Sequence, residues 1–264
     1  MARFCTLFSG SKGNSFYIGC GDSAILIDAG RTAKQLENAL KSNDLDVTKI
    51  KAIFVTHEHL DHIKGIKVFA SRYNVKVYSS EGTMKALEKM GVLTDKFQHE
   101  VIGDNGVEVA QMKVVPFKTS HDSVDSVGYT IHTKDERKVV VATDIGYMSE
   151  TVRNSIRGSD LAVIESNHDI RMLQNGVYPY YLKRRILSNT GHLSNEACAR
   201  ELPEFVKYGT TRFVLAHLSG ENNLPELAYE TSMCALKQAG LQKDVDFKLY
   251  VAPKENIGGK VIIF

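Results

Sequence analysis

The stretch Thr56-His57-Glu58-His59-Leu60-Asp61-His62 puts three imidazoles and a carboxylate into one segment, directly after the apolar run Ala52 to Val55. So many potential metal ligands in so short a segment cannot all converge on a single ion, so the arrangement points to two metal ions side by side. His57 and His59 are two apart, which at an extended strand end places both rings on one side. Asp61 and His62 follow where the chain turns into an expected helix, Ile63 to Tyr73. One pair then serves one ion and the next pair its neighbour. Neutral imidazole suits zinc, manganese or iron and carboxylate oxygen favours harder ions, so the pattern fits Zn²⁺, Mn²⁺ or Fe²⁺. The bland alternative is a surface loop that happens to be rich in histidine. Such density beside an aspartate weighs against it, and hydrolysis becomes the leading chemistry.

Bulk properties set the frame. A chain of 264 residues can bury a substantial core, and 43% hydrophobic residues with no tryptophan describe an ordinary soluble globular protein. The net charge of +2, from 33 basic and 31 acidic residues, neither predicts nor excludes a polyanionic partner, so any nucleic-acid surface must be local. Cys5, Cys20, Cys198 and Cys234 show no C-x-x-C pairing and read as buried thiols rather than a zinc ribbon or a secreted disulfide scaffold. No extended apolar core follows Arg3 before the polar run Ser9 to Asn14, which argues against a signal peptide. No segment reaches the roughly 18 to 20 apolar residues of a membrane span. The cytoplasm is the expected location, with no membrane partner.

Apolar runs at Arg3 to Phe8, Ser15 to Gly19 and Ala24 to Asp28, separated by Gly/Ser/Asn/Asp clusters, read as an opening antiparallel meander. Thr32 to Ser42 reads as a helix with Leu36, Ala39 and Leu40 on one face. The pattern then alternates, with strands expected at Val75 to Tyr78, across Val107 to Thr143, at Leu161 to Glu165 and at Arg212 to Ala216. Helices are expected near Glu81 to Met90, Ser149 to Arg157, Pro179 to Leu187, Asn195 to Val206 and Pro225 to Gln238. No low-complexity linker divides the chain, so residues 1–264 read as one domain. Strand-rich blocks each followed by helices fit an α+β fold, two packed sheets with helices outside, in four layers. A doubly wound parallel sheet is the alternative. Against it, Ser9-Gly10-Ser11-Lys12-Gly13-Asn14 has neither G-x-G-x-x-G nor Walker spacing.

The sequence resembles the metallo-β-lactamase superfamily, whose T-H-x-H-x-D-H signature is matched at Thr56 to His62, and the resemblance spans nearly the whole chain. It implies the αββα sandwich of that family and two divalent metal ions. His121 in Thr119-Ser120-His121-Asp122, Asp144 in Ala142-Thr143-Asp144 and His217 in Leu215-Ala216-His217-Leu218-Ser219 match the later ligand motifs. By resemblance His57, His59 and His121 hold one metal, Asp61, His62 and His217 the other, and Asp144 lies between them. Asp28, in Leu26-Ile27-Asp28-Ala29-Gly30, matches the first-motif aspartate, which orients ligands from behind. His99 and His132 match nothing.

Water bridging two ions roughly 3.5 to 4 Å apart ionises near neutral pH and attacks an electrophile in line. Asp61 is expected to orient it. An aspartate at Asp144, where zinc β-lactamases of the best-known class carry cysteine, favours phosphoryl oxygen over antibiotics. His59, where flavo-diiron proteins carry glutamate, argues against oxygen or nitric oxide reduction. Thioester hydrolases of the glyoxalase II type share the same ligands and remain the enzyme runner-up. Gly191-His192-Leu193-Ser194-Asn195 sits where ribonuclease Z-like phosphodiesterases carry a histidine that protonates the leaving oxygen, which makes His192 the candidate general acid. Its bland reading is a helix-start histidine with Ser194 as N-cap. Glu165, Asn167 and His168, in a polar cluster after an expected strand, are candidates to line the pocket.

The Ser9 to Ser15 loop, the E-S-N-H-D cluster from Glu165, G-H-L-S-N and A-H-L-S-G-E-N-N are similar to the YycJ/WalJ branch of the superfamily. That branch implies a 5′-to-3′ DNA exonuclease with a functional link to a two-component signalling system. Only 72 residues separate Asp144 from His217 and 22 separate His121 from Asp144, so a large inserted domain and a long tRNA-gripping arm are both absent. Tyr178, Tyr180, Tyr181, Lys183, Arg184 and Arg185 interleave aromatics and cations, as base stacking and phosphate neutralisation require, although a solvated helix face has the same pattern. Ser11, Lys12 and Asn14 are candidate phosphate donors. The expected function is a binuclear-metal phosphodiesterase acting on nucleic acid, DNA before RNA. A small-molecule phosphodiesterase and a metal-stabilised, non-catalytic regulator of a signalling partner are the rivals.

Overall fold

Ser15–Cys20 and Leu161–Glu165 are buried along their whole length, as strands covered on both faces must be, and neither reads as an alternating pattern. In the computed structural model, which describes residues 1–259 and 261–264, such runs build two mixed sheets with helices around them. Two sheets, not one, exclude the doubly wound alternative. In chain order the strands are β1 (Ala2–Phe8), β2 (Ser15–Cys20), β3 (Ser23–Ile27), β4 (Ile50–Val55), β5 (Lys76–Ser79), β6 (His99–Val101), β7 (Val107–Val109), β8 (Met112–Lys118), β9 (Val127–Thr133), β10 (Lys138–Ala142), β11 (Leu161–Glu165), β12 (Arg212–Ala216), β13 (Lys248–Val251) and β14 (Ile262–Ile263). The helices are α1 (Ala33–Ser42), α2 (Leu60–Ile63), α3 (Ile66–Tyr73), α4 (Glu81–Lys89), α5 (Glu150–Ile156), α6 (Ile170–Asn175), α7 (Tyr180–Ile186), α8 (Asn195–Lys207) and α9 (Pro225–Gln238).

The chain divides into two compact units, one made of Met1–Pro116, Ser123–Arg137 and Pro253–Phe264, the other of Phe117–Asp122 and Lys138–Ala252. In the first, the sheet runs β14-β1-β2-β3-β4-β5-β6. The meander β1 to β3 is antiparallel, with Phe4 opposite Ile18 and Ile18 opposite Ile25, and from β3 onward the pairing turns parallel. Its core gathers Leu7, Phe8, Leu26, Leu36, Ile53 and Phe69. Thr32 starts α1 with a capping box to Gln35, and Leu36, Ala39 and Leu40 face inward as their spacing predicts. The expected helix from Ile63 to Tyr73 is instead two, α2 and α3. Gly65 lies between them, its N–H bonded to Ala29 O at 2.8 Å, and a Cβ there would stand 2.2 Å from Arg31 O.

In the second unit β10 to β13 are all parallel, with Val141 opposite Val163, Val163 opposite Val214 and Val214 opposite Tyr250. Val140, Ile164, Leu202, Phe205, Phe213 and Leu236 form its core. Cys5, Cys20 and Cys198 are buried as expected, but Cys234 is exposed, because it lies on the outer side of α9 while Met233 and Leu236 turn inward. Among the described residues no helix is long and apolar enough to cross a membrane.

Phe54 shows how closely β4 is held. It is fully buried, stacks on Tyr78 at 5.0 Å and meets Tyr129 edge-on at 5.5 Å, while Tyr129 Oη donates to Val55 O at 2.7 Å. Phe54→Ala is expected to cost about 3–5 kcal/mol of unfolding free energy, measured by urea denaturation. A loss below about 1 kcal/mol would mean that the site collapses without strain.

Candidate metal centre

Functional side chains in both units stand at the carboxyl ends of parallel strands, where the backbone stops pairing and side chains become free to converge. In the first unit Asp28 follows β3 and Thr56 to His62 follow β4. Asp28 is fully buried, and its carboxylate accepts from Thr56 N at 2.8 Å and Thr56 Oγ1 at 2.9 Å while lying 2.7 Å from His62 Nδ1. Burial pushes the Asp28 carboxyl up, and His62 and Thr56 pull it back. The neighbouring rings cluster, with His57 and His59 centroids 4.5 Å apart and His57 and His62 4.1 Å apart. Asp61 stays half-buried at the rim. Glu58, between His57 and His59, accepts from Val124 N at 2.9 Å.

The loop before β2 has a different place from its reading as a phosphate cradle. Ser11 and Lys12 are exposed at its tip, but Asn14 is fully buried. Asn14 N donates to Asp61 O at 2.7 Å, and Nδ2 lies 3.3 Å from Asp61 Oδ2 and 3.1 Å from His62 Nε2. Its Oδ1 accepts from Gly10 N at 2.9 Å, so the whole amide is committed to the protein. Gly30 makes this approach possible, because a Cβ there would fall 1.7 Å from Asp61 O.

In the second unit Asp144, Glu165 and His217 mark the ends of β10, β11 and β12. Glu165 is fully buried and takes four contacts: Oε2 accepts from Ile145 N at 2.8 Å and Leu193 N at 3.1 Å, and Oε1 lies 2.8 Å from both His192 Nδ1 and His217 Nδ1. Desolvation raises its carboxyl, yet the two imidazoles outweigh burial and hold it below the usual carboxylate range. Asn167 Nδ2 donates to His217 O at 2.8 Å. His121, its ring turned by a 3.1 Å contact from Nδ1 to Gly191 O, stands 5.0 Å from the His192 ring, which is 5.2 Å from that of His217. Burial lowers the His121 pKa, favouring the neutral ring that a metal needs. The donor atoms of Asp144, Glu165, His192 and His217 all lie within 4.8 Å of one another. Buried imidazole nitrogens with carboxylate oxygens at this spacing fit a divalent metal.

Asp28, Asp144 and His217 share a backbone feature, positive φ at 61°, 56° and 56°. A residue other than glycine held there carries strain of order 1–3 kcal/mol, tolerated where the surroundings over-determine it and frequent at functional sites. Of the remaining candidates, Ser194 caps α8 through Ala197 N at 3.1 Å, which leaves His192 outside the helix and partly exposed. Arg184 is exposed, whereas Lys183 is half-buried with Nζ on Gln174 O at 2.8 Å. His99 and His132 are exposed. His168 is 1% exposed, and neither ring nitrogen has a hydrogen-bond partner among the described residues. The holding roles of Asn14, Thr56 and Glu165 are not visible in the sequence, where only the resemblance could have singled out the positions.

Residues 23–218 match the family model described as a beta-lactamase superfamily domain. The chain is 37% identical to exodeoxyribonuclease YycJ of Bacillus anthracis over 94% of each chain, and 37% identical to exodeoxyribonuclease WalJ of Streptococcus pneumoniae over 94% of this chain and 93% of that one. Among solved structures, the metallo-β-lactamase-fold protein YhfI of Bacillus subtilis superposes with a TM-score of 0.73 at 16% identity, covering 99% of this chain and 98% of that one. Zn²⁺-bound PqqB of Methylobacterium extorquens does so with a TM-score of 0.72 at 13% identity over the full length of both, and these two likenesses bear on fold alone. The chain belongs to the metallo-β-lactamase superfamily, in its YycJ/WalJ-like branch, and is a metal-dependent hydrolase.

Removing the carboxylate behind His62 by Asp28→Ala should weaken metal affinity about 10–100-fold in a competition titration against a chromophoric chelator; unchanged affinity would remove Asp28 from the support of the centre. Burial pushes His168 from 6.5 down to about 4, so the unfolded chain takes up that proton first as pH falls. The contribution of its neutral ring is complete above pH 6.5 and lost as pH drops toward 4. The melting temperature should therefore fall across that window, and more shallowly in His168→Phe; parallel slopes for parent and variant would contradict it.

Proposed function

We propose that the chain is a cytoplasmic phosphodiesterase with a binuclear metal centre that degrades DNA from its 5′ end. Supporting this reading are two relatives named exodeoxyribonuclease, each similar along nearly its whole length. The observation that carries it is the pairing of His192 with buried Glu165 at 2.8 Å, beside Asp144 and His217. In the first unit the metal ligands are His57, His59, Asp61 and His62, and in the second His121, Asp144 and His217. Manganese or zinc, when bound, acidifies water and offsets the charge that grows on a phosphoryl oxygen.

The chain's own residues do the rest. Asp61, whose backbone and carboxylate are both held by Asn14, orients the attacking water. Asp28 fixes the His62 ring through Nδ1, and Nε2, 3.1 Å from Asn14 Nδ2, is the proposed ligand atom. Glu165 does the same for His192: with Nδ1 committed to the carboxylate, the transferable proton sits on Nε2. With the ring held by Glu165, Nε2 donates that proton to the departing oxygen. Partial exposure of His192 leaves that nitrogen reachable by substrate.

Chelation with EDTA should abolish cleavage of a 5′-phosphorylated oligonucleotide, and Mn²⁺ or Zn²⁺ should restore it. His192→Ala should lower its turnover about 10²–10⁴-fold. The loss should be much smaller on a p-nitrophenyl phosphodiester, whose leaving group needs no proton. Equal losses on both substrates would show that His192 is not the general acid, and no cleavage of either by the metal-loaded parent would refute the phosphodiesterase reading.

A further inference from the structure

Between His168 and His192 the second unit carries a segment that the reaction does not use. Residues 170–191 contain Arg171, Lys183, Arg184 and Arg185 and no aspartate or glutamate, in a chain whose charges otherwise nearly balance. The segment is firmly seated. Asp169 caps α6 through Met172 N at 2.7 Å, Leu173 and Ile186 are buried, and Arg185 reaches Asp122 Oδ1 at 2.9 Å. Its outer side is nonetheless apolar and bare: Val177 is 91%, Tyr180 76% and Tyr181 75% exposed. A seven-residue helix that buries Ile186 alone and turns two tyrosines to water gains little for folding, and such patches mark recognition surfaces. The Arg184 guanidinium lies 5.9 Å from the Tyr180 ring centroid, which places a cation beside a stacking surface.

The platform leads straight into the reacting groups. His192 N donates to Ile186 O at 3.0 Å and Gly191 N to Ser188 O at 3.0 Å, so the turn after α7 delivers His192. That turn tolerates no side chain at Gly191, where a Cβ would sit 2.2 Å from Ile186 O. Gly191 O in turn meets His121 Nδ1 at 3.1 Å.

Resting on the phosphodiesterase reading above, we propose that the outer face of α7 docks a single-stranded polynucleotide, with unpaired bases stacked on Tyr180 and Tyr181 and phosphates neutralised by Arg184 and Arg171. Exposed aromatic rings offer nothing to a duplex, whose base faces are hidden within the stack, but suit a strand whose bases are free. The lack of any acidic residue over the segment removes the repulsion that a phosphate chain would otherwise meet.

The test uses the full-length, metal-loaded chain and a fluorescent phosphorothioate oligothymidine, which binds without being cut, followed by anisotropy. Tyr180→Ala/Tyr181→Ala should weaken binding about ten-fold or more, and Tyr180→Phe/Tyr181→Phe should retain it, since stacking needs the ring and not the hydroxyl. Arg184→Ala should flatten the salt dependence by about 0.7 in log–log slope. The proposal is overturned if the alanine pair binds within two-fold of the parent, or if the phenylalanine pair loses as much as the alanine pair. The two readings fail separately. A parent that binds the strand through these tyrosines yet cleaves no phosphodiester leaves the docking surface standing and sinks the activity, whereas a parent that cleaves DNA while the alanine pair binds as well as it does sinks the docking surface alone.

Discussion

Two buried carboxylates, each spent on backbone donors and on a histidine Nδ1, organise the functional residues. Taking a carboxylate out of water is costly unless fixed donors replace its hydration. Asp28 has Thr56 and His62 around it, and Glu165 has two backbone N–H groups and two imidazoles. The difference in partners explains the difference in acidity, since one imidazole does not outweigh the burial of Asp28 whereas two outweigh that of Glu165. In both cases the carboxylate holds a histidine ring through its Nδ1 and so fixes its orientation.

These carboxylates can work only because of where the sheets end. Parallel pairing from β3 to β6 and from β10 to β13 brings strand ends to one edge of each run, so residues remote in sequence meet without long loops. The turn out of the strand is sharp, and at Asp28, Asp144 and His217 it requires a left-handed backbone. Aspartate and histidine both accept that conformation more readily than most residues. His217 is held there by bonds from outside its own segment, Asn167 to its carbonyl and Glu165 at its ring. The stability forgone at these turns is the counterpart of aiming the side chains.

Much of this was legible in the sequence. The T-H-x-H-x-D-H segment stands out in the sequence as a candidate metal site, and β11, β12 and α9 begin and end where the apolar runs and Pro225 placed them. What was not legible has a common cause. The Gly-rich loop before β2 and the E-S-N-H-D cluster are short polar segments whose composition suits a ligand as well as it suits the protein interior. Asn14 and Glu165 turn inward because Gly30 lets Asp61 approach and because Ile145 and Leu193 present their N–H groups, contacts made across 47 residues in one case and 20 to 28 in the other. No periodicity carries such information. The same holds for the break at Gly65, where the pattern of apolar residues continues through a helix that the backbone of Ala29 interrupts.

Activation and selectivity are thus written in different kinds of segment. Strand ends, buried carboxylates and strained turns are indifferent to what lies beyond the reacting bond, and equivalent sets could serve a thioester as well as a phosphodiester. Discrimination has to come from parts with freedom to vary, and the stretch from Ser166 to Ser194 has it: it leaves β11 beside Glu165, runs outward through α6 and α7, and returns at His192 beside the same carboxylate. Both its ends are fixed, by Asn167 N on Leu193 O at 2.8 Å and Asn195 N on His168 O at 2.8 Å, so its outer face can change without disturbing the pair that it encloses. In the proposed reading the proton donor and the strand-binding face are two ends of one anchored excursion, and a substrate seated on α7 is already aligned with the group that completes its cleavage.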